Sequence, residues 1–246
     1  MNEALFFFVD ELNDFLPKKW KNSSFRYTFE DHQTIKHLIE ALGVPHCEVN
    51  HLRVDHRGVD FHYHIKDGEH VEVFPISSIP EPQDIPLQTE SAAISRFVLD
   101  NHLGRLAAYL RMLGFDTMYR NDYQDDELAQ IAGEQDRTLL TRDRHLLMRN
   151  AIRSGYWMRH QDPRSQLDEI VRRFEMRGRM QLFQRCLRCN HLLEAVSKEA
   201  VLPRLEPLTR LYFNEFHICP ACQQIYWKGS HYDQMLHLIA NLFASE

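Results

Sequence analysis

Apolar positions divide the chain into a front part of mostly alternating residues and a rear part in which short apolar runs take turns with helical spacing. In front, Phe25-Arg-Tyr-Thr-Phe29 alternates like a strand. Ile35, Leu38, Ile39 and Leu42 share one helix face after Thr34, and Gly43 follows as a stop. Val49–Val54 and Val59–Ile65 read as short strands, and Asp67-Gly68 as a turn before a strand over Val71–Phe74. In the rear, Arg96–Asp100 reads as a strand ending in a carboxylate. Leu103, Leu106, Ala107, Leu110 and Leu113 line one side of a helix over His102–Leu113, closed by Gly114. Asp116–Tyr119 is the next strand, and a helix starts at Asp125 with Leu128, Ile131 and Ala132 inward. Arg137–Thr141 is a strand followed by Asp143, and Gly155–Met158 is the last of the series. Asp162-Pro163 caps and opens a helix through Phe174, and Ser230-His-Tyr-Asp233 reads as a capping box for a helix through Leu242. Strands that alternate with helices predict a parallel sheet with right-handed crossovers.

Pro75, Pro80, Pro82 and Pro86 fall within one short stretch, which can enter neither a helix nor a central strand. The expected organisation is a front domain over 1–75, a proline-rich linker over 76–95, an α/β domain over 96–180 and an appendage with a C-terminal helix over 181–246. The front order of strand, helix and strands resembles the β-grasp, ubiquitin-like fold. Thr34 through Asp67-Gly68 to Val73-Phe74-Pro75 is similar to small sulfur-carrier proteins. Their chemistry needs a free Gly-Gly terminus, whereas this chain runs on into the prolines, so a binding or positioning role for the domain is expected. His62 and His64 share one face of the expected Val59–Ile65 strand; with no third ligand assignable, they read as a solvated face.

Charge separates the two parts. Residues 1–95 carry 8 Lys and Arg against 16 Asp and Glu, a local net of −8, while 96–246 carry a net of +2. Residues 137–188 hold 13 Arg and no Lys, which suits forked contacts to phosphate. The longest apolar run, Ala4–Val9, is far too short for a membrane span, and the opening residues, with Glu3 and Asp10, do not read as a basic leader.

Two Cys-x-x-Cys pairs, Cys186/Cys189 and Cys219/Cys222, supply the four thiolates of a closed tetrahedral zinc site. A closed site builds structure and offers no open position for chemistry. The long gap between the pairs predicts a zinc ribbon with a helical excursion. Cys47 has no partner in sequence, and unpaired thiols of this kind suit a reducing cytoplasm. Asp100 and Asp143 fall at expected strand ends and Asp125 at a loop-to-helix junction, so three segments can bring carboxylates to one edge of the sheet. Converging carboxylates want a cation, and hard oxygen ligands select Mg²⁺ or Mn²⁺. Taken singly, Asp125 or Asp126 also reads as a helix N-cap.

Asp100-Asn-His-Leu-Gly104-Arg105, continuing to Gly114-Phe-Asp116, resembles the opening of the Mut-seven C-terminal ribonuclease family, a branch of the PIN-like nucleases. Asp125-Asp-Glu-Leu-Ala-Gln-Ile-Ala132 and Leu139-Leu-Thr141-Arg142-Asp143-Arg-His-Leu-Leu147 resemble its next two motifs. The cysteine pairs with Trp227-Lys-Gly229-Ser-His231-Tyr232 resemble its zinc appendage. The resemblance implies a PIN-like fold, a front ubiquitin-like domain, and divalent-metal-dependent RNA cleavage with Asp100, Asp125 and Asp143 as ligands. Asp126 or Glu127 is implied as a fourth carboxylate. Arg105, Arg142, Arg144, Arg172 and Arg173 are the candidate contacts to RNA, and the front domain is the candidate surface for a protein partner. A non-catalytic RNA-binding adaptor needs the same arginines and partner surface but not the carboxylates.

Overall fold

The computed structural model describes residues 1–88 and 96–244, with side chains through 240. The last part of the proline-rich linker, 89–95, lies outside the described residues. The elements are β1 (Asn2–Phe8), β2 (Phe25–Phe29), α1 (Ile35–Ala41), β3 (Val49–Val54), β4 (Arg57–Val59) and β5 (His70–Pro75) in front. They continue as β6 (Arg96–Leu99), α2 (Gly104–Met112), β7 (Asp116–Tyr119), α3 (Asp125–Glu134), β8 (Thr138–Thr141), α4 (Arg144–Leu147), β9 (Gly155–Trp157) and α5 (Pro163–Arg173). The rear holds β10 (Glu194–Val196), α6 (Lys198–Val201), α7 (Pro207–Tyr212), β11 (Phe216–Ile218), β12 (Ile225–Tyr226) and α8 (Ser230–Ala244). No helix among the described residues is long and apolar enough to cross a membrane.

The front sheet runs β2-β1-β5-β3-β4, with β1 and β5 parallel and the other pairs antiparallel. The apolar run after Ala4, for which the sequence predicts no element, becomes an inner strand between β2 and β5: Phe6 and Phe8 point inward and are fully buried. Helix α1 closes this core with Ile35, Leu38 and Ile39. The Thr34 hydroxyl accepts from His37 N–H at its start, and Gly43 ends it with a φ of +95°.

The expected strand over Val59–Ile65 does not form. Strand β4 ends at Val59, and the Asp60 carboxylate accepts from His62 N–H at 2.9 Å, which turns the chain there. His64 only bridges to Thr34, so His62 and His64 do not share a strand face.

Residues 76–88 of the proline-rich stretch lie along the front sheet. Arg53 on β3 donates two bonds to Asp84, at 2.7 and 2.8 Å, and reaches Glu81 at 2.9 Å. Asn50 takes Leu87 N–H on its carbonyl and donates to the Ser78 carbonyl. A Cβ on Gly58 would lie 2.3 Å from the Gln83 carbonyl oxygen, so this strap needs a glycine beneath it.

The second sheet has the all-parallel order β7-β6-β8-β9. Its inner strands are buried on both faces, which explains their unbroken apolar runs. Helix α3 opens on Gln124, which forms a reciprocal capping box with Glu127. Helix α5 opens on Asp162-Pro163, as its cap residues predict, and Asp143 opens a short helix α4 that the sequence pattern does not predict.

The described chain divides into two compact units, 1–103 with 120–159, and 104–119 with 160–246. The front domain keeps an apolar core of its own, built from residues between Ala4 and Val73, and groups with β6, α3, β8, α4 and β9 in one compact unit. The turn His46-Cys47-Glu48 forms the joint. Glu48, 2% exposed, accepts from Trp157 N–H at 2.7 Å and faces Arg159 at 3.9 Å. His46 bonds the Ile152 carbonyl through Nε2 and Glu40 through Nδ1. Cys47 is fully buried, and burial with the nearby Glu48 carboxylate pushes its thiol well above the ordinary range. A Cβ on Gly155 would meet Leu147 Cδ2 at 2.6 Å and Cys47 Sγ at 3.1 Å.

Removing the buried carboxylate takes the acceptor from the Trp157 N–H and one of two carboxylates from Arg159. Glu48→Ala is expected to cost about 3 kcal/mol in urea unfolding. A loss below about 0.5 kcal/mol, the ordinary range for a surface change, would show that the joint does not hold the unit together.

Candidate functional site

Asp100 follows β6 directly and is 8% exposed. One carboxylate oxygen accepts from the Thr141 hydroxyl at 2.7 Å and the other from Asn101 N–H at 2.6 Å. Thr141 ends the neighbouring parallel strand, and its hydroxyl oxygen in turn accepts from Asp143 N–H at 2.9 Å. A single buried hydroxyl thus joins the segments of Asp100 and Asp143. Asp143 caps α4 through a 2.8 Å bond from His145 N–H to Oδ1, and His145 Nδ1 lies 3.4 Å from the same oxygen.

Asp125 and Asp126 open α3 and are solvent-accessible. Arg149 pairs with Asp126 and lies 3.8 Å from Asp125. The hydrogen bond it donates to Asp126, then the fields of Asp126, Asp125 and Asp143, raise the pKa of this guanidinium above its ordinary value. Arg149 is therefore the counter-charge of the carboxylate group, a role that nothing in its local sequence announces. Glu127 is engaged differently: it accepts from Gln124 N–H at 3.0 Å within the α3 cap and from Arg120 at 3.4 Å.

The candidate arginines meet different fates. Arg105 and Arg142 are exposed. The Arg142 carbonyl accepts from Trp157 Nε1 at 3.1 Å, which steadies the loop leading to Asp143. Arg144 donates to the Phe15 carbonyl of the front domain at 3.1 Å and lies over the Trp157 ring. Arg172 pairs with Asp168 one turn back on α5, and Arg173 lies over Phe174.

In the rear, β10, β11 and β12 form an antiparallel sheet. Strand β10, helices α6 and α7, and strand β11 fill the gap between the cysteine pairs, the helical excursion their spacing predicts. All four Sγ atoms lie within 4.8 Å of one another. Cys186 and Cys222 approach at 3.5 Å, and Cys189 and Cys219 at 3.3 Å. Tetrahedral Zn–S bonds place sulfurs about 3.8 Å apart, so the cluster can hold a zinc-sized ion. It is the only such group of metal-ligating side chains among the described residues; the three aspartates are not gathered this tightly.

The surrounding groups hold the sulfurs in place. Burial pushes the Cys186 thiol up, but the Tyr226 hydroxyl at 3.2 Å and backbone N–H groups bring it down to about 6. The Tyr226 oxygen also accepts from Leu187 N–H. Arg111, 3% exposed, donates from one nitrogen to the carbonyls of Leu187 and Arg188 and from another to that of Thr117. Asn190, at φ +75°, bonds Thr117 N–H and Asp116. Arg111 and Asn190 clamp the first cysteine turn onto α2 and β7. Sequence reasoning gave neither a role, although a buried arginine on the apolar side of α2 was a visible irregularity.

A family model described as the Mut7-C RNase domain matches residues 95–239, and one described as Mut7-C ubiquitin matches 1–80. Searches of curated proteins and of solved structures found no match.

Purified protein is expected to carry about one zinc ion per chain. Tyr226→Phe keeps the ring and removes the hydroxyl, so zinc affinity in a chelator competition is expected to fall about 10- to 100-fold. Equal affinity would show that the hydroxyl does not support the ligand.

Proposed function

The chain belongs to the Mut7-C RNase domain family, and from that premise we propose that it hydrolyses RNA phosphodiester bonds with Mg²⁺ or Mn²⁺ held by Asp100, Asp125 and Asp143. The observation that carries the reading is Thr141, whose one hydroxyl serves both the Asp100 carboxylate and the Asp143 N–H. An all-carboxylate donor set fits a hard divalent cation. When bound, such an ion supplies a Lewis acid for the phosphoryl oxygens and an activated water.

The chain's own residues prepare the site. Thr141 and the Asn101 N–H fix the Asp100 carboxylate, and the α4 cap fixes Asp143. Arg149 balances part of the negative charge. Glu127 is committed to the α3 cap and Arg120, so Asp126 is the better fourth carboxylate. Arg105, Arg142, Arg172 and Arg173 are the proposed contacts to RNA, whereas Arg144 serves the joint with the front domain. The four-cysteine site is structural zinc, and its thiols suit a reducing cytoplasm. The ubiquitin-like domain offers a surface to a protein partner. Hydrolysis of this type leaves a 5′-phosphate and a 3′-hydroxyl.

Asp143→Asn keeps the helix cap and removes the charge. Cleavage of single-stranded RNA in Mn²⁺ is expected to fall on the order of 100-fold or more, with the thermal midpoint unchanged and product ends mapped on the wild type. Equal cleavage by the variant would remove Asp143 from the site. Wild-type protein that binds RNA without cutting it would favour an adaptor.

A further inference from the structure

We infer that the loop Pro17–Lys21 of the ubiquitin-like domain is a phosphate-binding segment that holds single-stranded RNA beside Asp143. The inference rests on the ribonuclease reading and names a contact surface that reading did not include.

The front domain is acidic, and several of its cations are occupied. Arg26 pairs with Glu3, Lys36 with Glu40, and Arg53 with Asp84 and Glu81. Lys18, Lys19 and Lys21, unlike the scattered Arg57 and Lys66, form a cluster that is not occupied in this way. Three ammonium groups fall within four residues, and none has a carboxylate partner among the described residues. Lys18 and Lys19 are exposed, Lys21 is half-buried, and the Lys19 ammonium lies 4.5 Å over the Trp20 ring.

The loop has a defined shape. Trp20 N–H donates to the Pro17 carbonyl at 2.9 Å, and the Trp20 ring stacks on Phe25 at 4.5 Å. The indole is the anchor, so the lysines on either side of it are presented from a fixed turn. Pre-organisation of this kind lowers the entropy lost when a ligand binds.

Its position ties it to the carboxylates. A surface cavity of about 380 Å³ is lined by Asp14, Phe15, Leu16 and Pro17 on the front domain and by Arg144, His145 and Met148 on and just after α4, with Leu42 and Gly43 completing the wall. The wall on the α4 side begins one residue beyond Asp143, and His145 contacts the Asp143 carboxylate. The front wall runs directly into Lys18. Asp14, the acid on that wall, is already paired with Arg159 at 3.1 Å, so it does not cancel the lysines. A polyanion meeting Asp100, Asp125 and Asp143 is repelled unless cations nearby offset the cluster. Arg149 is engaged by the acids themselves and Arg144 by the Phe15 carbonyl. The lysine loop supplies charge that neither of them has free, as point contacts to phosphate without base preference.

The test is RNA binding by the full chain in EDTA, with a short fluorescent single-stranded RNA, across a salt series. Lys18→Ala, Lys19→Ala and Lys21→Ala together are expected to weaken binding at least tenfold at low salt. The log–log salt slope should become shallower by about 2, three contacts at roughly 0.7 each. The thermal midpoint should stay within about 2 °C of the wild type, a surface-sized effect, and arginine at the three positions should restore affinity and slope. Unchanged affinity and slope in the alanine variant would overturn the inference and leave the nuclease reading standing. Polyglutamate that competes as well as RNA would assign the loop to an acidic protein, and would also overturn it. Wild-type protein that shows the lysine-dependent slope yet never cuts RNA in Mn²⁺ would support the loop as an RNA contact while removing the nuclease reading.

Discussion

A carboxylate taken out of water must find donors, and Glu48 finds them on another part of the fold. Its acceptance of the Trp157 N–H, with Arg159 nearby, fastens the front domain to the last strand of the parallel sheet. From that joint several features follow. Trp157 is wedged against Phe15 at a ring distance of 5.1 Å, and its indole N–H holds the Arg142 carbonyl. Arg144 reaches back to the front domain. The loop that carries Asp143 is thus braced from both sides, and the ubiquitin-like domain becomes part of the setting of the carboxylates.

The same joint redistributes charge. Arginine is abundant around the site, but its guanidiniums are divided among tasks. Arg159 answers Glu48 and Asp14, Arg149 answers Asp125 and Asp126, and Arg144 answers a carbonyl. An arginine count along the chain overstates what is available to a nucleic acid, because a cation already paired gains less from phosphate than one facing water. Lys18, Lys19 and Lys21 of the acidic domain have no carboxylate partner among the described residues.

The rear sheet faces a different constraint. Its own apolar cluster centres on Val201, Leu205, Phe216 and Ile225, too few residues to order three short strands and two short helices. Four cysteine sulfurs gathered close enough to hold a metal ion offer the missing cross-link, and Tyr226 and Arg111 hold the turns that aim them.

The sequence by itself determined what depends on neighbours within a few residues. The Asp162 cap, the stop at Gly43, the buried strands and the paired cysteines were legible because each rests on local backbone geometry or on a spacing of two or three residues. Asp100 and Asp143 were legible as strand-end residues for the same reason. The strand expected through His62 and His64 failed because the Asp60 side chain captured a backbone N–H, a local competition that alternation does not register. Only the tertiary structure decided which buried charge meets which donor. Glu48 with Trp157, Arg144 with Phe15 and Arg111 with Leu187 are separated by 76 to 129 residues. No periodicity carries information over such distances; the pairing is set by which strands lie side by side and by the penalty for leaving a buried polar group unanswered.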